Sequence, residues 1–329
     1  MRCPTLAELP PPPTGMVGWP WTVETPPLPV SRPDGAAWPR VSIVTPSYNQ
    51  GQFIEETIRS ILLQNYPDLE YGIIDGGSTD DSIAIIKKYD RWLAYWVSEE
   101  DRGQAHAITK GLARGNGDLF QWINSDDVLM PGGIREIALA FSGHAVGAGV
   151  LCGYDPEHSQ HGRNADLSIE TLLDGRGGFH QQGLWLPRRN IEAIGIDERY
   201  DYAFDWDMTI RYLEAFPRVD YIPFCVAFFR FHKDSKTIKD DPHFSRERHA
   251  IRARFSRSLR SPIHRSICRT ALRRANWQRH LTEWRTRSID ARCPIAMRMI
   301  ALGFRCPRER INRFWFGALR RTISASRTP

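Results

Sequence analysis

Long apolar runs are missing from this 329-residue chain: no stretch approaches the roughly 18 consecutive apolar residues that a membrane span needs. Met1-Arg2-Cys3-Pro4 leads into prolines where a secretory leader would need an apolar core. Both absences set the expectation of a cytoplasmic protein. The cysteines Cys3, Cys152, Cys225, Cys268, Cys293 and Cys306 stand far apart without a CxxC pair, which argues against a zinc site and a disulfide scaffold. Two nucleotide signatures are also lacking, the GxGxxG dinucleotide turn and the GxxxxGK[ST] phosphate loop. A nucleotide's phosphates would therefore be met by a metal and by Arg or Lys. Acidic residues nearly vanish from residues 245–329, which hold 22 arginines and 4 acids, while the rest of the chain holds 22 basic and 34 acidic residues. The acidic body is no general nucleic-acid binder, whereas the basic tail suits anionic lipid, nucleic acid or an acidic partner.

What is present is an α/β pattern, with 41% hydrophobic residues to build a core. Residues 1–39 are proline-rich with Trp19, Trp21 and Trp38 between the prolines, and read as an arm pinned across the following domain. Val41-Ser42-Ile43-Val44-Thr45 reads as a buried parallel strand, followed by a helix through Phe53, Ile54, Ile58, Ile61 and Leu62. The plan recurs at Tyr71-Gly72-Ile73-Ile74 with a helix through Ile83, Ile86 and Tyr89, and again at Ala94-Tyr95-Trp96-Val97 with a helix over residues 105–113. A fourth strand, within residues 118–127, ends in the adjacent carboxylates Asp126 and Asp127, which stay ionised together only if solvated, hydrogen-bonded or neutralised by something positive such as Mg2+ or Mn2+.

Alternation of strand and helix predicts an open, mostly parallel, Rossmann-like sheet with ligands bound outside the strands' carboxyl ends. Four loops then share one rim: residues 46–49, 75–81, 101–103 and 125–127. Thr45-Pro46-Ser47-Tyr48-Asn49-Gln50, Ile74-Asp75-Gly76-Gly77-Ser78-Thr79-Asp80, Asp101-Arg102-Gly103-Gln104 and Asn124-Ser125-Asp126-Asp127 resemble, in order and spacing, the family 2 inverting glycosyltransferases of the GT-A fold. The resemblance covers about residues 40–235.

It implies a single GT-A domain over residues 40–243, an N-terminal arm over 1–39 and a helical, Arg-rich extension over 244–329. It implies that Pro46, Tyr48, Asn49 and Asp75 hold the base of a nucleotide-sugar donor, with Arg102 near the diphosphate. Asp126 would then contact the ribose, and Asp127, helped by His232 after the strand Val226-Ala227-Phe228-Phe229-Arg230-Phe231, would hold Mg2+ or Mn2+. Asp205, in a segment resembling the family's acid-aromatic-Asp motif, would be the general base, with Asp207 as its alternative. As a residue alone, Asp205 also suits a helix N-cap. His180 and Gln182 precede a short strand near the expected sugar and acceptor sites. Residues 152–178 show no periodicity and read as a long irregular connection.

The function implied is inverting transfer of a sugar, from UDP above all, to a glycan or lipid-linked saccharide. No specific nucleic acid is an expected partner. Trp277, Leu281 and Trp284, and further on Ile311, Phe314 and Trp315, fall on helix faces opposite arginines. They suit either peripheral binding to the anionic inner face of a membrane or packing on the domain. Two other readings remain: a sugar nucleotidyltransferase, which normally carries a Gly-rich basic loop after its first strand, and a nucleic-acid binder acting through the arginines.

Overall fold

The computed structural model describes residues 3–154, 159–163, 167–174, 179–236 and 242–273. All described residues belong to one compact unit, which ends at Arg273. The aromatic faces expected at Trp277 and beyond lie outside the described residues.

The expected alternation is found in β1 (Val41–Ser47), α1 (Ile54–Leu62), β2 (Leu69–Asp75), α2 (Ser82–Tyr89), β3 (Tyr95–Ser98), α3 (Gln104–Leu112) and β4 (Leu119–Trp122). Then come β5 (Val128–Leu129), α4 (Gly133–Ala140), β6 (Ala145–Gly153), β7 (Ser159–Arg163), α5 (Ile169–Asp174), β8 (Leu184–Pro187), α6 (Arg188–Ile194), α7 (Phe204–Ala215), β9 (Val219–Arg230) and α8 (Pro242–Ser258). Residues 262–273 are also helical. No helix among the described residues is long and apolar enough to cross a membrane.

The sheet runs β3-β2-β1-β4-β8-β6-β9-β5, with β7 added to β6. The first four strands pair in parallel. β8 runs against both β4 and β6, and β9 lies parallel to β6, so β6 and β9 point the same way as the first four. Every residue of β1 and β2 is buried, as a parallel strand between two helical layers must be. One apolar layer packs α1, α2 and α4 against the sheet; the other packs α3, α6, α7 and α8, with Ile251 and Phe255 of α8 buried in it. The compact unit thus continues through α8.

The chain steps outward from β1 to β3 and then returns to place β4 on the other side of β1. That reversal opens a crevice at the carboxyl ends of the strands. The register aligns those ends, Ser47 opposite Asp75 and Asp75 opposite Ser98.

The region expected to be irregular holds the β6–β7 hairpin and α5. A strand reading Ala-Val-Gly-Ala-Gly-Val-Leu-Cys-Gly shows no alternation because small residues let both neighbours approach: a Cβ on Gly147 would sit 2.6 Å from the Tyr221 ring.

The arm is held by buried Arg59 of α1. Its guanidinium donates to the carbonyls of Pro20 (3.1 Å), Pro10 (2.9 Å) and Trp21 (3.0 Å), satisfying a charge that could not otherwise be buried. Trp19 Nε1 donates to the carbonyl of Leu129 at 2.8 Å, which ties the arm to the segment just after Asp127.

Candidate active site

A cavity of about 920 Å3 opens at the carboxyl ends of the strands. Pro46, Tyr48, Asp126, His180, Gln182 and Asp205 line it; Asn49, Asp75, Arg102, Asp127, Asp207 and His232 do not form its lining. The structure thus brings six of the expected residues to one cavity and sets the others behind or beside it.

Asp75 ends β2 fully buried. Its carboxylate accepts from the amides of Gly77 (3.1 Å) and Ser78 (2.8 Å) and from the hydroxyls of Ser78 (2.5 Å) and Ser98 (2.7 Å). These bonds fix the loop whose Gly76 reaches the cavity. Asn49, at φ 52°, knits that loop to the one after β1: its amide donates to Ser78 Oγ (2.8 Å) and its Oδ1 accepts from the Thr79 amide (2.9 Å). Between them Tyr48 presents a ring that is 62% exposed, available for stacking. Arg102 is turned outward and paired with Glu198 at 2.6 Å.

The two adjacent carboxylates face opposite ways. Asp127 is fully buried, accepting from Gln182 Nε2 (2.7 Å), Asn124 Nδ2 (3.1 Å) and the Arg230 amide (3.3 Å). Burial, and then the charge of Asp126, push its carboxyl well above the usual range. Asp126 instead reaches the cavity, with Oδ2 2.9 Å from His232 Nε2. Arg230 steadies the turn from behind, donating to the Asp126 carbonyl (3.1 Å) and pairing with Glu56 (2.6 Å).

Among the described residues no group of three or more His, Cys, Asp or Glu side chains is arranged to hold a metal by itself. Asp126 and His232 nevertheless bring a carboxylate oxygen and an imidazole nitrogen within 2.9 Å of each other, donor types that would hold a divalent ion.

Asp205 occupies the first turn of α7. It is not the N-cap: Ala203 holds that position, and the Glu247 carboxylate of α8 accepts from the amides of Asp201 (2.9 Å), Tyr202 (2.8 Å) and Ala203 (2.8 Å). Among the described residues the Trp206 amide donates to Asp205 Oδ1 (2.7 Å), and burial raises the carboxyl to about 6. Asp207 is fully buried and held by Arg211 (2.9 Å) and by Arg254, so it ties α7 to α8. His180 lies against Cys152 (Nδ1 to Sγ 3.5 Å), and burial lowers its pKa, favouring the neutral ring.

Sequence reasoning passed over several lining residues. Ser47 Oγ, Gln50 Oε1, Gln181 Oε1 and Arg248 Nε are buried without a hydrogen-bond partner among the described residues, and all four residues line the cavity. Buried polar atoms are normally paired, so this wall is shaped for a polar ligand. Gln181 and Gln50 carried a signal, as neighbours of residues already singled out. Arg248 carried none, being one arginine in a stretch rich in them.

The sequence profile of Glycosyl transferase family 2 matches residues 42–233. An uncharacterized glycosyltransferase of Rickettsia typhi is 27% identical over 192 residues, 54% of this chain and 59% of the relative, so the chain spans about three-fifths of that protein's length. An uncharacterized glycosyltransferase of Mycobacterium tuberculosis is 36% identical over 183 residues, 53% of this chain and 68% of its own. Among solved structures, S. aureus TarS 1-349 in complex with UDP-GlcNAc superposes with a TM-score of 0.57 at 14% identity, covering 71% of this chain and 70% of TarS 1-349. At that identity the likeness establishes the GT-A fold.

Proposed function

The chain belongs to glycosyl transferase family 2, and from that premise we propose that it transfers a sugar from a nucleoside diphosphate sugar to a hydroxyl of a glycan or lipid-linked saccharide, with inversion. The observation that carries this reading is that Asp126, backed by His232, and Asp205, with its raised carboxyl pKa, line or adjoin one cavity at the strand ends. UDP is the proposed nucleotide, since the superposing TarS structure contains UDP-GlcNAc.

In this reading Tyr48 stacks on the base, and Asp75 and Asn49 hold the loops that frame it. Asp126 Oδ2 and His232 Nε2 would hold Mg2+ or Mn2+, an assignment that takes Asp126 for the metal because Asp127 faces inward. The bound ion would supply positive charge against the departing diphosphate. Asp205 accepts the proton of the acceptor hydroxyl as that oxygen attacks the anomeric carbon. A carboxylate with a pKa of about 6 is mostly ionised at neutral pH yet more basic than an ordinary Asp, which suits a general base. Inversion follows from a single displacement, with base and leaving diphosphate on opposite faces of the sugar.

Release of UDP from UDP-GlcNAc in the presence of Mn2+, with water as a slow acceptor, tests the reading. Wild-type protein is expected to release UDP, and Asp205→Asn and Asp126→Ala to lose at least about a hundredfold in rate. Release undiminished in Asp205→Asn would remove the base assignment, and no release from any UDP-sugar would remove the proposed donor.

A further inference from the structure

Arg248 projects from α8 into the cavity, beyond the stretch matched by the family profile. Its guanidinium carbon lies 5.0 Å from the Trp206 ring centroid and 5.5 Å from that of Phe244. It is therefore held by aromatic faces, and Trp206 is the residue next to Asp205. A guanidinium offers five N–H donors and no acceptor. Nε is buried and unpaired, and the side chain makes no hydrogen bond or ion pair to any described residue. Arg252, one turn along α8, stacks on the same Trp206 ring at 5.1 Å but gives its Nε to the Leu173 carbonyl at 2.9 Å. Lys236, the other cation on the wall, is paired with Asp201 at 2.7 Å and lies 5.0 Å from the Tyr202 ring centroid. Arg248 is thus the cation on this wall left without an acceptor among the described residues. The acid facing it is Asp205, whose charge it feels without a hydrogen bond. Leaving a charged donor desolvated and unpaired is costly, and an oxyanion is the ligand that satisfies it.

Position decides which substrate brings that anion. In an inverting displacement the base and the incoming hydroxyl stand on the face of the anomeric carbon opposite the departing diphosphate. Arg248 sits with the base, packed on the ring that follows it, while Asp126 and His232 mark the diphosphate side. We propose that Arg248 forms an anion-binding subsite on the acceptor side, so that the acceptor is a saccharide carrying a carboxylate or phosphate close to the hydroxyl that receives the sugar. This rests on the glycosyltransferase reading and names the substrate class of the same site.

The test is a ligand-observed NMR titration of the full chain, saturated with UDP and Mn2+, with methyl β-glucuronide, methyl β-glucoside 6-phosphate and the neutral methyl β-glucoside. One anionic glycoside is expected to bind about tenfold more tightly than the neutral one, the gain of a charge-assisted contact, and which one separates carboxylate from phosphate. In Arg248→Gln that preference should fall to within about twofold, and Arg248→Lys should keep part of it, with UDP affinity unchanged in both. Equal binding of all three glycosides by the wild-type chain overturns the subsite, and this comparison holds even if the variants fail to fold. A preference kept in Arg248→Gln overturns it too, as does weakened UDP binding in that variant, which would move Arg248 to the donor diphosphate. A wild-type chain that binds no UDP sinks the glycosyltransferase reading as well, whereas UDP binding without anion preference sinks the subsite alone.

Discussion

Asp205 is useful as a base and costly as a charge. Burial that lifts its carboxyl from the usual 3.8 to about 6 makes it a stronger base and an uncomfortable charge. The rate of transfer should therefore rise with pH through about 6 and level off above it, read as an acidic limb in the pH profile. Stability moves the other way. Because the folded pKa exceeds the unfolded one, the contribution of the protonated form is full below about pH 4 and lost as pH rises past about 6. Asp205→Asn should thus gain on the order of 2 kcal/mol over wild type at about pH 8, with no gain at about pH 4, as thermal unfolding at the two pH values would show. Asp127 has a different kind of importance. Asp127→Ala leaves Gln182 Nε2, Asn124 Nδ2 and the Arg230 amide without their acceptor and should cost about 2–4 kcal/mol in denaturant unfolding. Had Asp127 lain on the cavity, the cost would be small. Which of two neighbouring carboxylates faces a ligand was not legible in the sequence, because a turn can present either. In the structure Asp127 is buried and Asp126 lines the cavity, in a turn where the Asn124 carbonyl accepts from the Asp127 amide at 3.1 Å. Arg102 shows the same limit: its partner Glu198 lies far along the chain.

Local chemistry made β1 to β4 and α1 to α3 readable, since β-branched runs and helical spacing decide them. Elements that depend on distant partners were not readable. β6 is a glycine-rich strand stabilised by β7, β8 and β9, and α5 packs Leu172 and Leu173 into the layer under α7. The start of α7 depends on Glu247, supplied by a helix that begins only at Pro242. A sequence window around Asp205 therefore suggests an N-cap aspartate, while Ala203 is the N-cap and Glu247, from another element, holds the amides of the turn leading into the helix. Glu247→Ala should expose three amides at that helix start and cost about 1–2 kcal/mol. Because α7 carries Asp205 and α8 carries Arg248, it should also slow transfer more than an exposed substitution such as Arg246→Ala on the same helix. Loss of stability without loss of rate would show that α8 braces the fold but not the site.

At the scale of the whole molecule, acidic and basic residues are unevenly shared between the body and the stretch from residue 245 onward. The described part of that stretch lines the cavity with Arg248 and buries Ile251 and Phe255. The fold was legible because its motifs stand at the ends of successive parallel strands, where any such sheet gathers its loops. We propose that these strand ends form a metal-assisted nucleotide-sugar site built on Asp126. Calorimetric titration with UDP, in Mn2+ and in EDTA, tests it most directly. Binding is expected to require the ion, to disappear in Asp126→Ala and to persist in Asp205→Asn. Binding that ignores the ion, or that survives Asp126→Ala, would contradict it.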